Sequence, residues 1–230
     1  MTGATSPNPQ LVATGNAGMP FYNMLAAYDP EDQKVYYAKM DATHTYIYAV
    51  DYNFDGVMTF PTPATPSYMY NYAINQLCFD NYGDNYTFSN FNSGSGTATL
   101  NRIDIATGVE KAGSNKQVVF PSGNFPNTLS DGDVVVLPNG RMFATFGNAP
   151  SKLYEINNSD GAGKGTATFL TDMPRKSFSI AYIDGNLMIA GSDGSGCYYF
   201  TWDINSSALS SAYNFPFGKS SADLSSLRQV

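Results

Sequence analysis

The sequence predicts an all-β chain assembled from a repeated four-stranded unit. Three observations predict it. The composition is rich in aromatic residues and turn formers, with 17 Tyr, 15 Phe and 21 Gly among 230 residues, and only 13% of residues are charged. Such a mixture suits pleated, half-buried surfaces joined by tight turns. No stretch of helical length carries an apolar period of 3.6 residues. Four segments also align at a period of roughly 50 residues.

The aligned segments are "KVYYAKMDATHTYIYAVDYNFDG", "NYTFSNFNSGSGTATLNRIDIATG", "RMFATFGNAPSKLYEINNSDGAG" and "NLMIAGSDGSGCYYFTWDINSSA". Each holds a strand, a polar turn, a second strand, and an acidic or amide residue opening another turn. The anchors Asp51, Asp104, Asn157 and Asp203 are spaced by 53, 53 and 46 residues, each after an apolar residue: Val50, Ile103, Ile156 and Trp202. A further strand is expected before each segment, in "FYNMLAAY", "SYMYNYAI", "DVVVLP" and "FSIAYID". Another is expected after each, in "VMTF", "QVVF", "ATFL" and "AYNF". Gly, Asn, Asp and Pro bound these runs, as strand ends require.

A four-stranded unit of about 50 residues is the pattern of a β-propeller blade. One such sheet cannot cover both of its faces, whereas stacking around an axis covers them. "PQLVATGNAGMP" near the start reads as an outermost strand, and "SSADLSSL" near the end as the start of an inner one. The expectation is a five-bladed ring with a reduced or incomplete last blade; four blades with a degenerate closure is the alternative. The domain is expected to span residues 9–226, after a flexible segment 1–8 and before a tail 227–230.

Charge and cysteine usage exclude several classes. The net charge is -7 and no basic run occurs, so the electrostatic footprint of a nucleic-acid binder is absent. No run of 18 apolar residues is present, so no membrane insertion by a helix is expected. The opening MTGATSPNPQ has no apolar core of a signal peptide. Low charge with abundant Asn, Tyr, Gly and Thr points to an extracellular origin. Cys78 and Cys197, both in apolar surroundings, are expected to be buried thiols.

"DYNFDG" opens like a calcium-binding loop. Asp51, Asn53 and Asp55, with the Val57 carbonyl, are the ligands it would supply. Positions 9 and 12 of that loop are Thr59 and Thr62, where a bidentate carboxylate should close the cage. The repeat places the stretch between third and fourth strands, where Asp and Gly make turns without metal. The turn is favoured, with calcium as the minor alternative and no other cofactor.

Other chemistry is sparse. His44, in "DATHTY", is expected in a hairpin turn, and a lone His builds no histidine-rich metal site. "GAGKG" at 161–165 lacks phosphate-loop spacing and reads as a turn. Carboxylates suited to glycoside hydrolysis are Asp80 with Asp84, Asp131 with Asp133, and Asp193. All lie in turn contexts. "MYNYAINQLCFDNYGDNYTF" concentrates Tyr and Asn, residues of adaptable recognition surfaces. Tyr82, Asp84, Tyr86, Asp131, Asp133 and Asp193 are therefore the candidate binding residues.

"LYEIN", "LNRID", "FTWDI" and the terminal "GKSSADLSSL" give a resemblance to secreted propeller-like repeat proteins of Bacteroidetes bacteria. It covers residues 20–226 and implies a propeller fold and a secreted or cell-surface location. In that group an "ADL"-type strand precedes a sorting region; the sequence given ends at Val230, short of one. No functional residues carry across. The expected function is a non-catalytic extracellular or cell-surface module binding a protein partner or glycan. A carbohydrate-active hydrolase or lyase with paired carboxylates, and a subunit of a surface assembly completed by a partner's strand, are the alternatives.

Overall fold

Aromatic and β-branched residues at alternating positions, cut by Gly, Asn and Asp, fold the described residues into eighteen strands. The computed structural model describes residues 25–40, 43–51, 66–72, 74, 76–111, 114–129, 132–147, 150–158, 164–177, 179–193 and 196–214, and no α-helix occurs among them. Four antiparallel blades follow in chain order. The first holds β1 (Ala26–Asp29), β2 (Lys34–Met40), β3 (Thr45–Asp51) and β4 (Tyr68–Tyr70). The second holds β5 (Cys78–Phe79), β6 (Asp84–Asn92), β7 (Thr97–Asp104), the short β8 (Val109–Glu110) and β9 (Lys116–Val119). The third holds β10 (Asp133–Val136), β11 (Met142–Phe146), β12 (Lys152–Asn157) and β13 (Lys164–Asp172). The fourth holds β14 (Ser179–Ile183), β15 (Asn186–Asp193) and β16 (Gly196–Asp203), edged by β17 (Ala208–Leu209) and β18 (Tyr213–Asn214).

The inner strands run side by side, β1 next to β5, β5 next to β10, and β10 next to β14. This is the arrangement of blades around an axis, and the fold is β-propeller-like. The strands expected for a fifth blade, in 9–20 and 220–227, lie outside the described residues.

Three apolar cores sit between consecutive blades. Ala27, Tyr36, Ile47 and Tyr70 of the first blade pack on Phe79 and Ile103 of the second. Phe88, Leu100 and Val118 of the second meet Met142, Phe146 and Tyr154 of the third. Val135, Phe143 and Leu153 of the third meet Ile180, Ile189, Phe200 and Trp202 of the fourth. The middle core is a chain of aromatic edge-to-face contacts, Phe88 to Phe146 at 5.2 Å and Phe120 to Tyr154 at 5.1 Å. Each ring buried this way contributes about 1.5–3 kcal/mol by area, with a further increment for the paired geometry.

All four anchor residues end the third strand of their blade, as the repeat requires. Asp104 Oδ1 accepts from Thr107 N at 3.1 Å, and Asp203 Oδ1 accepts from Asn205 N at 2.8 Å and Ser206 N at 3.1 Å. Asp104 and Asp203 therefore act as turn openers. His44 sits in the hairpin between β2 and β3, with Nδ1 2.7 Å from Thr43 Oγ1.

Two elements differ from expectation. "SYMY" is not the inner strand of the second blade: β4 pairs with β3 at Thr45–Ile47 and closes the first blade. The true inner strand, β5, has only two residues, within a three-residue apolar run, Leu77 to Phe79, between the polar Gln76 and Asp80, too short to stand out as a strand. "VMTF", expected as the outer strand of the first blade, lies outside the described residues. Lys164 and Gly165 of "GAGKG" belong to β13 rather than to a turn, and residues 161–163 lie outside the described set.

The outer strands of the second and third blades also join. β13 pairs in parallel with β9, Lys164–Thr166 against Gln117–Val119, so nine strands form one sheet. Gly165 permits it, since a Cβ there would come within 3.1 Å of Val118 Cγ2. Lys116, nearly buried, donates from Nζ to the Asn158 carbonyl and ties the same seam.

Gly191 on β15 meets the backbone of the loop entering the fourth blade, where any Cβ would collide with the Lys176 carbonyl. Backbone cannot yield as a flexible side chain can. Gly191→Ala is expected to lower stability by about 3 kcal/mol or more, measured by urea unfolding.

Candidate functional site

The turn from β5 to β6, "FDNYGDN", is the most constrained exposed feature of the described residues. It begins at Asp80, whose side chain is buried. Asp80 Oδ1 accepts from Tyr82 N at 2.8 Å and Asp84 N at 3.0 Å, which closes the turn. Gly83 supplies a positive φ of 74°. Tyr86 Oη donates to Asp80 Oδ2 at 3.2 Å, and that loss of water, with the neighbouring carboxylate, pushes the phenol pKa far up.

Arg102, on β7, holds the turn from behind. Its Nε and Nη2 both donate to Asp84 Oδ2, at 2.9 and 2.6 Å, and Nη2 lies 3.7 Å from Asp80 Oδ2. The guanidinium also sits 5.4 Å from the centre of the Tyr86 ring. Lys111 Nζ links Asp84 Oδ1, at 3.5 Å, to Asp104 Oδ2, at 3.3 Å. The Asp84 and Tyr86 side chains are thus enclosed, while Tyr82 stands 75% exposed at the tip.

The equivalent turn of the first blade, "YDPEDQ", lies against it. Asp29 occupies the position of Asp80 and uses Oδ1 in the same way, accepting from Glu31 N at 2.9 Å and Asp32 N at 3.4 Å. The Glu31 carboxylate crosses to the second blade: a Cβ on Gly83 would come within 2.6 Å of Glu31 Oε2 and 3.4 Å of Asp29 Oδ2. Gly83 is therefore required twice, for its φ and for this approach. Burial raises the Asp29 pKa above its usual 3.8, against the lowering pull of the Glu31 and Asp32 N–H groups.

The other sequence candidates are placed elsewhere. Asp133, buried on β10, turns both oxygens to backbone: Oδ1 accepts from Val134 N at 2.8 Å and Oδ2 from Ile180 N at 3.1 Å on the next blade. Asp193 ends β15, and its side chain lies outside the described set, as does that of Cys197. Asp131, Asn53 and Asp55 lie outside the described residues, and Asp51 is described only as the end of β3. Cys78 is buried and donates to the Tyr86 carbonyl at 3.7 Å, and burial pushes its thiol pKa up. No group of three or more metal-ligating side chains occurs among the described residues, and no described helix is long and apolar enough to cross a membrane.

The four inner strands line a partly open cavity of about 30 Å³, bounded by Ala26, Tyr28, Cys78, Asp133, Val135 and Ile180 among others. That space holds about two waters. Among the described residues, Asp133 is the one carboxylate lining it.

Asp29, Glu31 and Arg102 were not singled out in the sequence. Aligning "YDPED" with "FDNYGD" exposes Asp29 as the repeat partner of Asp80. Arg102 carries no such mark, because only the antiparallel register of β6 and β7 brings it to Asp84 and Tyr86.

Replacing Arg102 with Met removes the guanidinium from two buried carboxylates and leaves Lys111 as the remaining cation at Asp84. With the Arg102 side chain 30% exposed, the expected loss is about 2 kcal/mol by urea unfolding at pH 7, below the cost for a fully buried pair. Asp84→Asn in the same chain should restore part of it. Asp29, with its raised pKa, disfavours the folded state at neutral pH, and this cost fades as pH falls through the raised value and is gone below 3.8. Asp29→Asn keeps the turn-closing acceptor, so it should match or exceed the parent's melting temperature at pH 7. The difference should vanish in acid.

No family model matches the chain and no curated protein matches it. Solved structures do. TolB from Acinetobacter baumannii superposes with a TM-score of 0.50 at 15% identity, covering 81% of this chain and 42% of TolB. The PQQ-bound form of aldose sugar dehydrogenase from Streptomyces coelicolor gives a TM-score of 0.50 at 16% identity, covering 83% of this chain and 65% of that one. The chain spans less than two thirds of either protein's length. At such identities the likeness is one of fold, and the fold it supports is the β-propeller.

Proposed function

We propose that the chain is a non-catalytic binding module, extracellular or on the bacterial cell surface, that recognises a protein partner or glycan at the end of the propeller carrying the β1–β2 and β5–β6 turns. The observation that carries this reading is the contrast within one turn. Tyr82 is three-quarters exposed, yet the turn beneath it is fixed by Asp80, Asp84 and Arg102. A rigid, exposed aromatic loses little entropy on binding and buries much area, which is the profile of an interface anchor. The surface location rests on the composition and on the secreted repeat proteins that the chain resembles.

The rival reading, a carbohydrate-active hydrolase, needs two carboxylates converging on a substrate-sized space. The axial cavity is far smaller than a ligand pocket of several hundred Å³, and Asp133 spends both oxygens on backbone N–H groups. These features favour binding over catalysis. A calcium ion at Asp51, Asn53 and Asp55 remains part of the proposal as an optional ligand of the first blade.

The test is an array of immobilised glycans and peptides, probed with the parent chain and Tyr82→Ala, with and without calcium. The parent is expected to give hits that Tyr82→Ala weakens about tenfold or more, as for an interface anchor. Equal hits from both chains, or release of sugar from an offered polysaccharide, would overturn the reading.

A further inference from the structure

The turn from β10 to β11, "LPNGR", holds the single Asn–Gly step of the sequence, Asn139–Gly140. Pro138, Asn139, Gly140 and Arg141 are all exposed. Two backbone hydrogen bonds shape the turn: Gly140 N donates to the Leu137 carbonyl and Leu137 N to the Arg141 carbonyl, both at 2.8 Å. Gly140 has a φ of 82°, and no atom of the described residues lies within 4 Å of where its Cβ would stand. Glycine is required there for its backbone angle alone, and its missing side chain leaves the approach to its own nitrogen unobstructed.

Asn139 is turned toward that nitrogen. Its Oδ1 accepts from Arg141 N at 3.1 Å, which lays the carboxamide along the main chain beside Gly140. The same bond draws electrons from the carboxamide carbon and makes it more open to attack. Asn92 offers a comparison within the chain. Its Oδ1 accepts from Gly94 N at 2.9 Å and Ser95 N at 3.1 Å, but its next residue is Ser93, whose side chain crowds the nitrogen. Asn85 and Asn101 are 0% and 2% exposed, out of reach of bulk water. The Gly140 N–H must first leave the Leu137 carbonyl. That is one bond of a solvent-exposed turn, and such bonds open far more readily than those of the core.

We propose that Asn139 is a self-modifying site, which loses its amide and gains a carboxylate with water as the only co-reactant. The Gly140 nitrogen gives up its proton and bonds to Asn139 Cγ. The Cγ–Nδ2 bond breaks, and Nδ2 leaves as ammonia carrying that proton. Water then adds to either carbonyl of the five-membered imide, and the C–N bond that breaks returns a proton to nitrogen. Opening at one carbonyl gives aspartate; opening at the other gives isoaspartate, whose main chain is one methylene longer. Either product sets a carboxylate next to Arg141, whose Nε and Nη2 donate to Glu155 at 2.7 and 3.1 Å. The guanidinium then has two acids to satisfy, and the longer main chain no longer matches the closure from Leu137 to Arg141. This chemistry is independent of the binding role proposed above.

The experiment ages the full folded chain in mildly alkaline buffer at body temperature and follows each asparagine by peptide mapping. A portion kept in urea is the unfolded reference. The Asn139 peptide is expected to gain about one mass unit, to be labelled by an isoaspartyl methyltransferase, and to convert about tenfold or more ahead of the Asn92 peptide. Its rate should rise with pH, because the Gly140 nitrogen attacks without its proton. Asn139→Gln, whose longer side chain closes a less favoured six-membered ring, should abolish the methyltransferase label at this peptide. Conversion in urea but not in the folded chain would overturn the proposal. So would equal rates at Asn92 and Asn139, a mass gain without isoaspartate, or a label that persists in the Asn139→Gln chain.

Discussion

A short antiparallel sheet with apolar residues on both faces has no stable existence alone. Its cost in exposed area is removed only when a second sheet covers each face. Every other feature of this chain follows from that constraint. Blades stack in chain order because consecutive sheets are the nearest covers available, and the three cores lie between neighbours rather than within any one blade. Among the described residues, the inner strands line a cavity of about 30 Å³. Asp133 reaches from β10 to the Ile180 N–H on the neighbouring inner strand and so satisfies a backbone donor of the next blade.

Polar chemistry appears where stacking leaves gaps. Between the first two blades, Tyr70 Oη donates to Asn85 Oδ1 at 2.6 Å, Asn85 Nδ2 donates to the Cys78 carbonyl at 3.0 Å, and Thr45 Oγ1 accepts from Ile74 N at 3.2 Å. These groups replace apolar contacts with directional ones and fix the rotation of one blade against the other. The ion-pair group around Arg102 extends the same logic to the end of the second blade. A buried network of this kind is a poor source of net stability, but it specifies one geometry, and here that geometry belongs to a surface turn.

The period was legible because Asp, Asn and Gly open turns for backbone reasons that survive any change of neighbours. Asp51, Asp104, Asn157 and Asp203 fall at the strand ends that the spacing requires. Inner strands were less legible. β5 is two residues long in an apolar run of only three, so Tyr68–Tyr70, with its stronger alternation, reads as the better strand although it belongs to the preceding blade. The site was legible as residue types and not as roles. Tyr82, Asp84 and Tyr86 stand out together in the sequence, yet burial separates them: two brace the turn and one is presented by it. Arg102 was hidden because its partners are 18 and 22 residues away and meet it only across a hairpin.

The parallel seam of β9 and β13 has a consequence for how the chain acquires its structure. Thr97–Leu100 of β7 and Lys164–Thr166 of β13 occupy opposite edges of β9. A ribosome releases β9 long before β13 exists, and a lone sheet edge of this kind invites pairing with other chains. The second blade is thus left unsealed until the third is nearly complete. Contacts of such sequence separation slow folding, and they make the two blades a single cooperative unit once formed. Order of synthesis and order of closure are therefore decoupled in the middle of this molecule, which places its most exposed interval during folding between the end of its second blade and the end of its third.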